Sequence, residues 1–307
     1  MNILVTGSSG LIGSALVDAL AAGGHTVVRL VRGGGRPAHS MVADVNWDPA
    51  SGRLDFATLE AAGPYDGVVH LAGAGIGDRR WTPARRVELM ESRTRSTSLL
   101  VKALVALDPR PPVLVSASAI GYYGDRGVEE LSEHSEAGTG FLADICQAWE
   151  AAAAPAAEAG IRTVLLRTGI VLAASGGALG KQLPLFRLGL GGPIGSGLQY
   201  RSWITLGDEV RVILHCLTQP SLSGPVNATA PAPATDRALA KALGAALHRP
   251  AALAVPSLAL KAVLGSDMAT EMVLSSQRVL PEQLVASGFT FDHPTLDEAV
   301  VSVLASS

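Results

Sequence analysis

Short apolar runs alternate with longer helical patterns over the first 170 residues of the chain. The runs show little apolar–polar alternation, which is typical of strands covered on both faces. They predict strands over Asn2 to Val5, Thr26 to Val31, Gly67 to Leu71, Val113 to Val115 and Arg162 to Leu166. Segments rich in helix formers predict helices over Gly13 to Ala22, Thr82 to Leu107 and Gly140 to Ala159. This alternation predicts an α/β fold with a doubly wound parallel sheet.

The pattern changes after Thr168, where a glycine-rich stretch extends to Trp203. Helical patterns then return over Asp236 to Leu247, Pro256 to Leu264, Thr270 to Ser275 and Leu296 to Leu304. Long loops in a compact domain tend to be functional. We therefore expect a nucleotide-binding lobe from residues 1–172 plus about 203–230. A smaller, interleaved substrate lobe is expected from residues 173–202 and 231–307.

The composition of the chain limits the classes of partner and the compartment that we expect for it. The net charge is −3, and no Lys/Arg run offers the basic surface that nucleic acid needs, so no nucleic-acid partner is expected. The longest charge-free stretch, Val212 to Thr235, is interrupted by prolines, and the first 20 residues lack a basic start and contain Asp18. Cys146 and Cys216 are too few for a disulfide framework. We expect a cytoplasmic protein with no membrane partner; the oligomeric state stays open.

A glycine motif, Thr6 to Gly13, directly follows the first strand and opens the first helix. Gly7 permits the tight turn, Gly10 lets the backbone approach a pyrophosphate, and Gly13 lets helix and strand pack closely. The helix N-terminus adds unpaired N–H groups and a positive dipole. The motif predicts a Rossmann-type dinucleotide site formed by Gly7, Ser9, Gly10, Leu11, Ile12 and Gly13. The alternative is a strand-to-helix turn that is merely glycine-rich.

The end of the second strand indicates which dinucleotide is bound. An NAD-selective site usually places Asp or Glu there to bind the ribose 2′-hydroxyl. This chain has Val31 and Arg32 instead, nineteen residues beyond Gly13. A guanidinium binds a 2′-phosphate through charge-assisted hydrogen bonds, so NADP(H) is favoured over NAD. The alternative is a solvated arginine in a glycine-rich loop.

Further motifs carry a family resemblance. With the glycine loop, the segments His70 to Ala74 and Ser118 to Gly124 resemble those of extended short-chain dehydrogenases/reductases. A narrower resemblance, to the atypical NAD(P)-dependent epimerase-like family, rests on Arg80-Trp81-Thr82, Glu91-Ser92-Arg93, Trp149-Glu150, Gly189 to Gly197, Gln199, Ser202-Trp203-Ile204, Pro281 to Leu284 and Gly288-Phe289. It covers nearly the whole chain.

This resemblance implies an NADP(H)-binding Rossmann lobe and a smaller lobe that closes over a substrate. The implied activity is that of an oxidoreductase or a sugar-nucleotide-type epimerase, and about residues 250–300 would form the family's C-terminal domain of unknown function. The resemblance does not supply the substrate. We expect a small molecule that is anionic, to suit the charged residues given below, or sugar-nucleotide-like, to suit the epimerase activity. The alternative is a catalytically silent NADPH-binding sensor or scaffold.

The chain departs from the usual Tyr-x-x-x-Lys pair of such enzymes. Counting back from Glu150 by two steps of four places Leu142 and Cys146 at those positions. Leu142 has no group that transfers a proton, and Cys146 has no adjacent cation in the sequence, so we expect a buried structural cysteine. Glu150 lies one helical turn further on the same face and is predicted to bind a ribose hydroxyl.

The long predicted helix contributes two charged candidates. Arg93 stands where extended members carry asparagine, and it is predicted to reach the cofactor phosphates or an acidic substrate group. Glu88 is predicted to orient Arg93 or to bind near the nicotinamide. Ion pairing on the helix surface is the alternative for both. Leu71, Ala72, Gly73 and Ser116 complete the predicted cofactor residues, because they follow or end strands at the ligand edge of the sheet.

The acid/base group must come from elsewhere. Ser118 and Tyr122, at the carboxyl end of the fifth predicted strand, are the catalytic candidates, although Tyr122 can equally anchor the loop. His70 is expected to be a packed histidine. Histidines and cysteines fall in no metal-binding spacing, so no metal is expected.

The substrate side offers charged and aromatic candidates. Lys181, Arg187, Gln199 and Arg201 suit a carboxylate or phosphate. Trp81 and Trp203 are candidates either for stacking on a substrate ring or for packing between the lobes.

Overall fold

An eight-stranded sheet organises the computed structural model, which describes residues 1–33 and 42–305. The strands are β1 Asn2–Thr6, β2 Thr26–Val31, β3 Val42–Asp48, β4 Arg53–Leu54, β5 Gly67–His70, β6 Val113–Ala119, β7 Glu130–Leu131, β8 Arg162–Thr168, β9 Ile170–Leu172, β10 Tyr200–Arg201, β11 Trp203–Thr205, β12 Gly224–Ala228, β13 Ala234–Thr235 and β14 Arg278–Val279. The helices are α1 Leu11–Ala22, α2 Phe56–Ala61, α3 Pro83–Ala106, α4 Phe141–Glu158, α5 Gly177–Arg187, α6 Leu206–Thr218, α7 Asp236–Ala246, α8 Ser257–Leu264, α9 Ser266–Met268, α10 Glu282–Ala286 and α11 Leu296–Ala305. A 3₁₀ turn spans Ile120–Tyr123 and a π-helical turn spans Ala269–Leu274.

The strand order of this sheet is β12-β8-β6-β5-β1-β2-β3-β4. All neighbours are parallel except β4, which runs antiparallel to β3 at the edge. The chain winds outward from β1 in both directions, so the strand order reverses between β1 and β5. Open α/β sheets bind ligands at such a reversal. The predicted α/β Rossmann-type doubly wound sheet is confirmed.

Both faces of the sheet are covered, which explains why its strands lack alternation. Ile3 and Val5 point to one face and belong to a buried cluster with Leu16 of α1. Leu4 points to the other face and clusters with Leu100 of α3. Each fully buried Leu or Ile side chain contributes about 1.5 to 3 kcal/mol relative to an exposed one. Apolar burial on both sides therefore fixes the register of β1.

A third buried cluster is formed by residues of α5, α7 and α11, within the segments predicted for the smaller lobe. Trp203 lies in it, fully buried, and its Nε1 donates to the carbonyl of Ala232 at 3.1 Å. Of the two roles predicted for Trp203, packing is therefore the one observed. β14 returns to the first half of the chain and pairs with β7, Arg278 opposite Glu130. No helix in the described residues is both long and apolar enough to cross a membrane.

Glu209 is a carboxyl group inside the core. It is fully buried in α6, its Oε1 accepts a hydrogen bond from the Thr168 hydroxyl at 2.8 Å, and its Oε2 has no partner among the described residues. Burial raises the pKa of Glu209 from 4.5 to about 8, although the Thr168 bond acts in the opposite direction. The nearby Cys216 thiol also has a raised pKa, again because of burial. Glu209 is thus protonated at neutral pH.

We expect this proton to make stability depend on pH. Between pH 4.5 and about 8 the folded chain holds a proton at Glu209 that the unfolded chain releases. The free energy of unfolding therefore falls as pH rises through this window, by up to about 1.4 kcal/mol per pH unit. Glu209→Gln cannot ionise and should remove this slope. Urea unfolding at pH 5, 6, 7 and 8 measures it, with the exposed Glu158→Gln as control. Parallel curves for wild type and Glu209→Gln would contradict the assignment.

Candidate functional site

The glycine loop joins β1 to α1 where the strand order reverses. Gly7 has a φ of 70°, which favours glycine, and the N–H of Gly10 donates to the Gly7 carbonyl at 3.0 Å. A Cβ at Gly13 would lie 2.2 Å from the Gly7 oxygen, so α1 can pack on the loop only through glycine. Gly10 caps α1 without a side-chain hydrogen bond. The N–H groups of Leu11 and Ile12 and the helix dipole therefore suit an anion.

A cleft of about 860 Å³ opens beside this loop and reaches the ends of β2 and β3. The predicted cofactor residues that line it are Gly7, Ser9, Gly10, Val31, Arg32, Leu71, Ala72, Gly73 and Glu88. Leu11, Ile12, Gly13, Arg93, Ser116 and Glu150 lie outside its lining. Arg32 is exposed at the end of β2. Arg29, also in the lining, is bound to Asp44 by two hydrogen bonds of 2.7 and 2.9 Å.

His70 connects the end of β1 to helix α3 through two threonine hydroxyls. The N–H of Ala72 donates to the Thr6 hydroxyl at 3.3 Å, and that hydroxyl lies 2.7 Å from Nδ1 of His70. On the other side, Nε2 lies 2.8 Å from the hydroxyl of Thr97, which donates to the carbonyl of Arg93. This arrangement assigns the proton to Nε2. Burial lowers the pKa of His70 to about 3, so the ring is neutral, and the predicted packed histidine is confirmed.

Arg93 is a buried cation beside Gly73. Its guanidinium lies 5.0 Å from the centre of the Trp149 ring, and Nη1 donates to the carbonyl of Leu89 at 3.1 Å. A Cβ at Gly73 would lie 3.4 Å from the guanidinium carbon. Burial is the main cause that lowers the pKa of Arg93, and the interaction with Cys146 opposes it. The predicted orienting partner, Glu88, instead pairs with Arg85 at 2.7 Å, and this hydrogen bond lowers the pKa of Glu88.

Glu150 is part of a buried hydrogen-bond network. Its Oε1 accepts from the Ser118 hydroxyl at 2.6 Å and from Nε of Arg167 at 2.9 Å. Its Oε2 accepts from Nη2 of Arg167 at 2.9 Å. An ionised carboxylate offers about four acceptor positions, so about one remains, on Oε2. The Arg167 side chain is 3% exposed and the Glu150 side chain 9% exposed, so this ion pair is buried.

Arg167 extends the network to both tyrosines of the 3₁₀ turn. Its Nη1 donates to the Tyr123 hydroxyl at 3.0 Å, which in turn donates to Oδ1 of Asn227 at 2.7 Å. The Tyr122 ring centre lies 3.4 Å from the guanidinium carbon. Tyr122 is half-buried and Tyr123 fully buried. Tyr122 is thus anchored by its ring face, and its phenol group takes part in no hydrogen bond within the described chain.

Leu142 and Cys146, which stand at the positions predicted for the usual catalytic pair, lie against the segment at the end of β6. A Cβ on Gly121 would lie 3.2 Å from Cβ of Leu142, and Sγ of Cys146 lies 3.6 Å from the carbonyl oxygen of Ala119. Burial is the largest cause that raises the pKa of Cys146 to about 12, so the thiol is neutral, as expected for a structural cysteine. The buried Ser116 hydroxyl has no partner among the described residues.

The substrate-side candidates do not all meet at one place. Lys181 donates to the carbonyl of Gly77 at 3.2 Å, so it reaches the loop after β5. Gln199 bonds the carbonyl of Ile194, and Arg201 forms a buried ion pair with Asp236 at 3.1 Å. Both side chains therefore bond other residues of the segments predicted for the smaller lobe. Arg187 is in the last turn of α5.

Trp81 lies at the start of the long helix. Its Nε1 donates to the carbonyl of Ile76 at 2.9 Å, and its ring meets Phe141 edge-on at 5.1 Å. Trp81 therefore packs the loop after β5 against the beginning of α4.

Two site residues were not predicted. Arg167 was missed although a charged residue near the end of an apolar strand is a recognisable signal. Glu271 was missed because nothing local distinguishes it; its Oε2 accepts from the backbone N–H of Leu142, 129 residues away, at 2.8 Å.

Comparisons with known families match both parts of the chain. Residues 3–228 match the model described as the NAD dependent epimerase/dehydratase family. Residues 255–303 match a domain of unknown function, DUF1731. These matches confirm the family predicted from the motifs.

Similar proteins are spread widely among organisms. Epimerase family protein Mb2239 of Mycobacterium bovis is 46% identical over 298 residues, covering 97% of this chain and 96% of that protein. The human epimerase family protein SDR39U1 is 36% identical over 310 residues, covering 99% of this chain and 100% of that protein.

Two solved structures are also similar. Human SDR39U1 (isoform 2), crystallised with NADPH, has a TM-score of 0.88 and 34% identity and covers all of both chains. A nucleoside-diphosphate sugar epimerase from Corynebacterium glutamicum has a TM-score of 0.80 and 32% identity. The match covers all of this chain and 59% of that one.

Proposed function

The chain belongs to the NAD dependent epimerase/dehydratase family, and from this premise we propose that it is an NADP(H)-dependent oxidoreductase or epimerase. The observation that carries the proposal is the glycine loop before α1, whose residues Gly7 to Gly10 line a cleft that also reaches Arg32. The similar human protein crystallised with NADPH supports the same cofactor. Bound NADP(H) would supply or accept a hydride.

The residues present fit a dinucleotide. Side chains at Gly7 and Gly13 would fill space taken by backbone, which keeps the loop open to a pyrophosphate. We propose that Gly7, Ser9, Gly10, Leu11, Ile12 and Gly13 hold the pyrophosphate, and that Val31 and Arg32 hold the adenosine phosphate. Leu71, Ala72 and Gly73 would line the passage between them, with Glu88 at the rim.

The nicotinamide half uses an unusual cation. Cys146 occupies the usual lysine position but is neutral. The Arg93 guanidinium lies against the same helix, 5.0 Å from the ring centre of Trp149. We propose that Arg93 supplies from α3 the charge that lysine supplies in other members. Ser116, whose hydroxyl is unpaired, and the free acceptor position of Glu150 would then bind ribose hydroxyls.

Ser118 and Tyr122 remain candidate proton carriers in this proposal. Ser118 already donates its proton to Glu150, so it can relay a proton only through that carboxylate. The Tyr122 ring is held over Arg167, and its hydroxyl makes no hydrogen bond with the described residues. Tyr122 is therefore the better placed of the two to contact a substrate.

We propose a sugar-nucleotide-like, anionic substrate. The Corynebacterium glutamicum neighbour is described as a nucleoside-diphosphate sugar epimerase, and Lys181 brings a cation to the loop after β5. A panel of sugar nucleotides and carbonyl compounds, followed by absorbance of reduced nicotinamide, tests turnover.

A second candidate function has its own support. Leu142 and the neutral Cys146 replace the usual catalytic pair, which favours a silent NADPH-binding sensor. Tight NADPH retention without turnover on any compound of the panel would support the sensor and contradict the enzyme.

We expect Arg32→Ala to weaken NADPH binding about ten- to one-hundredfold and to leave NADH binding nearly unchanged. The reason is the loss of charge-assisted hydrogen bonds to the 2′-phosphate, each worth about 1.5 to 3 kcal/mol. Calorimetric titration of both nucleotides measures the effect. Arg110→Ala is the matched control, because Arg110 is an exposed arginine just before β6, at the amino ends of the parallel strands and away from the cleft. Equal losses for NADPH and NADH would contradict this role of Arg32.

A further inference from the structure

Apart from the Tyr122 phenol, the proton-carrying groups described above at the carboxyl ends of β5 and β6 are engaged in hydrogen bonds or buried. The Ser118 hydroxyl already donates a hydrogen bond to Glu150, and the Cys146 thiol is buried and neutral. Both ring nitrogens of His70 are bonded to threonine hydroxyls. A carboxylate from the C-terminal domain, that of Glu271, lies beside Leu142, the residue at the usual tyrosine position.

Glu271 is fitted closely against the start of α4. Its Oε2 accepts from the N–H of Leu142 at 2.8 Å. A Cβ on Gly140 would lie 3.0 Å from Oε2 and 3.4 Å from Oε1, and Gly140 has a φ of 110°, which favours glycine. Glycine at position 140 thus makes room for the carboxylate.

The π-helical turn that carries Glu271 is held against the loop after β5. A Cβ at Gly77 would lie 3.1 Å from Cε of Met272. Asp267 forms an ion pair with Arg86, whose guanidinium carbon lies 4.7 Å from the ring centre of Phe141. Residues 267 to 272 are therefore held against the loop after β5, against α3 and against the start of α4. Such π-helical turns are frequent at functional sites.

We propose that the Glu271 carboxylate faces the nicotinamide ring and acts in place of the missing tyrosine. It would take the proton of a substrate hydroxyl while bound NADP⁺ would accept the hydride, and it would return the proton in the reverse reaction. This inference rests on the proposed function. Oε2 is occupied by Leu142, whereas Oε1 accepts no hydrogen bond from the described residues and is left for a substrate hydroxyl. Glu271 is half-buried, so the carboxylate can meet a ligand.

This placement predicts an effect that needs no substrate. The oxidised nicotinamide ring carries a positive charge and the reduced ring does not, so a nearby carboxylate favours NADP⁺ over NADPH. Glu271→Gln keeps an acceptor for the Leu142 N–H but removes the charge. We expect it to weaken NADP⁺ binding relative to NADPH about three- to tenfold, the range for one charge several ångströms away in a partly screened site.

Calorimetric titration of both nucleotides gives the ratio of their dissociation constants in each variant. Asp144→Asn is the matched control, because Asp144 is an exposed carboxylate in the first turn of the same helix. It should change the ratio less than twofold. A purely structural Glu271 would move both affinities together, so an unchanged ratio in folded Glu271→Gln would overturn the proposal.

Glu271→Asp provides a second variant, which keeps the charge and withdraws it by one methylene. We expect a ratio within about twofold of wild type, because the charge is kept; a ratio shifted as far as that of Glu271→Gln would show that the charge does not set it and would overturn the proposal. If Glu271→Gln does not fold, Glu271→Ser removes the charge in its place, and a wild-type ratio in that variant would overturn the proposal. Wild-type protein that binds neither nucleotide would instead refute the proposed function itself. Binding of both with an insensitive ratio would refute only the role of Glu271.

Discussion

Replacing Glu150 with glutamine is expected to lower the free energy of unfolding by about 3 to 5 kcal/mol, because it leaves a buried charge without a partner. Arg167 is 2% exposed, and its Nε and Nη2 both donate to the Glu150 carboxylate. A glutamine amide has only one oxygen, so its NH₂ group would face one of the two Arg167 donors and leave it without an acceptor. Denaturant unfolding at pH 7, followed by circular dichroism, measures the loss.

The control for this variant is Glu129→Gln. Glu129 pairs with Arg126 at 2.6 Å on the surface, with side chains 51% and 28% exposed. Exposed pairs contribute about 0 to 1 kcal/mol, so we expect only a small change there. Equal losses in the two variants would show that the Glu150–Arg167 pair is not a buried stabilising unit.

A methyl group at Gly13 is expected to reduce affinity for NADPH by at least about a hundredfold, or roughly 2.7 kcal/mol. The added carbon would lie 2.2 Å from the Gly7 oxygen and 2.9 Å from Cα of Ser8, both of which are backbone atoms. Backbone cannot rotate away as a side chain can, so the loop must move and its N–H groups lose their alignment. Titration of Gly13→Ala with NADPH measures this effect.

Gly207→Ala is the matched control for this loop variant. Gly207 lies in α6, and a Cβ there would meet nothing within 4 Å. Alanine at an unstrained helical position stabilises by about 0.4 to 1 kcal/mol, so thermal stability should rise slightly while NADPH affinity stays unchanged. Wild-type affinity in Gly13→Ala would contradict the assigned function of the loop.

Local features of the fold were visible in the sequence. The glycine loop and the strands β1, β2 and β5 can each be predicted from a few consecutive residues. For the strands the reason is that burial on both faces requires continuous apolar side chains. β3 was not predicted. Val42–Asp48 mixes polar residues with buried Val45 and Trp47, and it lies next to the short edge strand β4. Partial exposure near an edge removed the apolar signal.

The candidate site was less predictable, because its residues meet across long stretches of chain. Glu150 drew attention through its helical spacing, but its partner Arg167 lies on a strand, and only the packing of α4 on the sheet joins them. Glu271 reaches Leu142 from 129 residues away. Helical spacing also suggested that Glu88 orients Arg93, whereas the observed partner is Arg85. Periodicity identifies a face of a helix but not the neighbour that the face meets.

The pairing of β14 with β7 has a consequence for biosynthesis. Arg278 lies opposite Glu130, so most of the polypeptide must leave the ribosome before this pair can close. The glycine loop and the strands β1, β2 and β3 beside it need only early segments and can form while translation continues. The late contact between β14 and β7 slows folding. A nascent chain should therefore form its glycine loop first, and the contacts of its C-terminal segment only when synthesis is nearly complete.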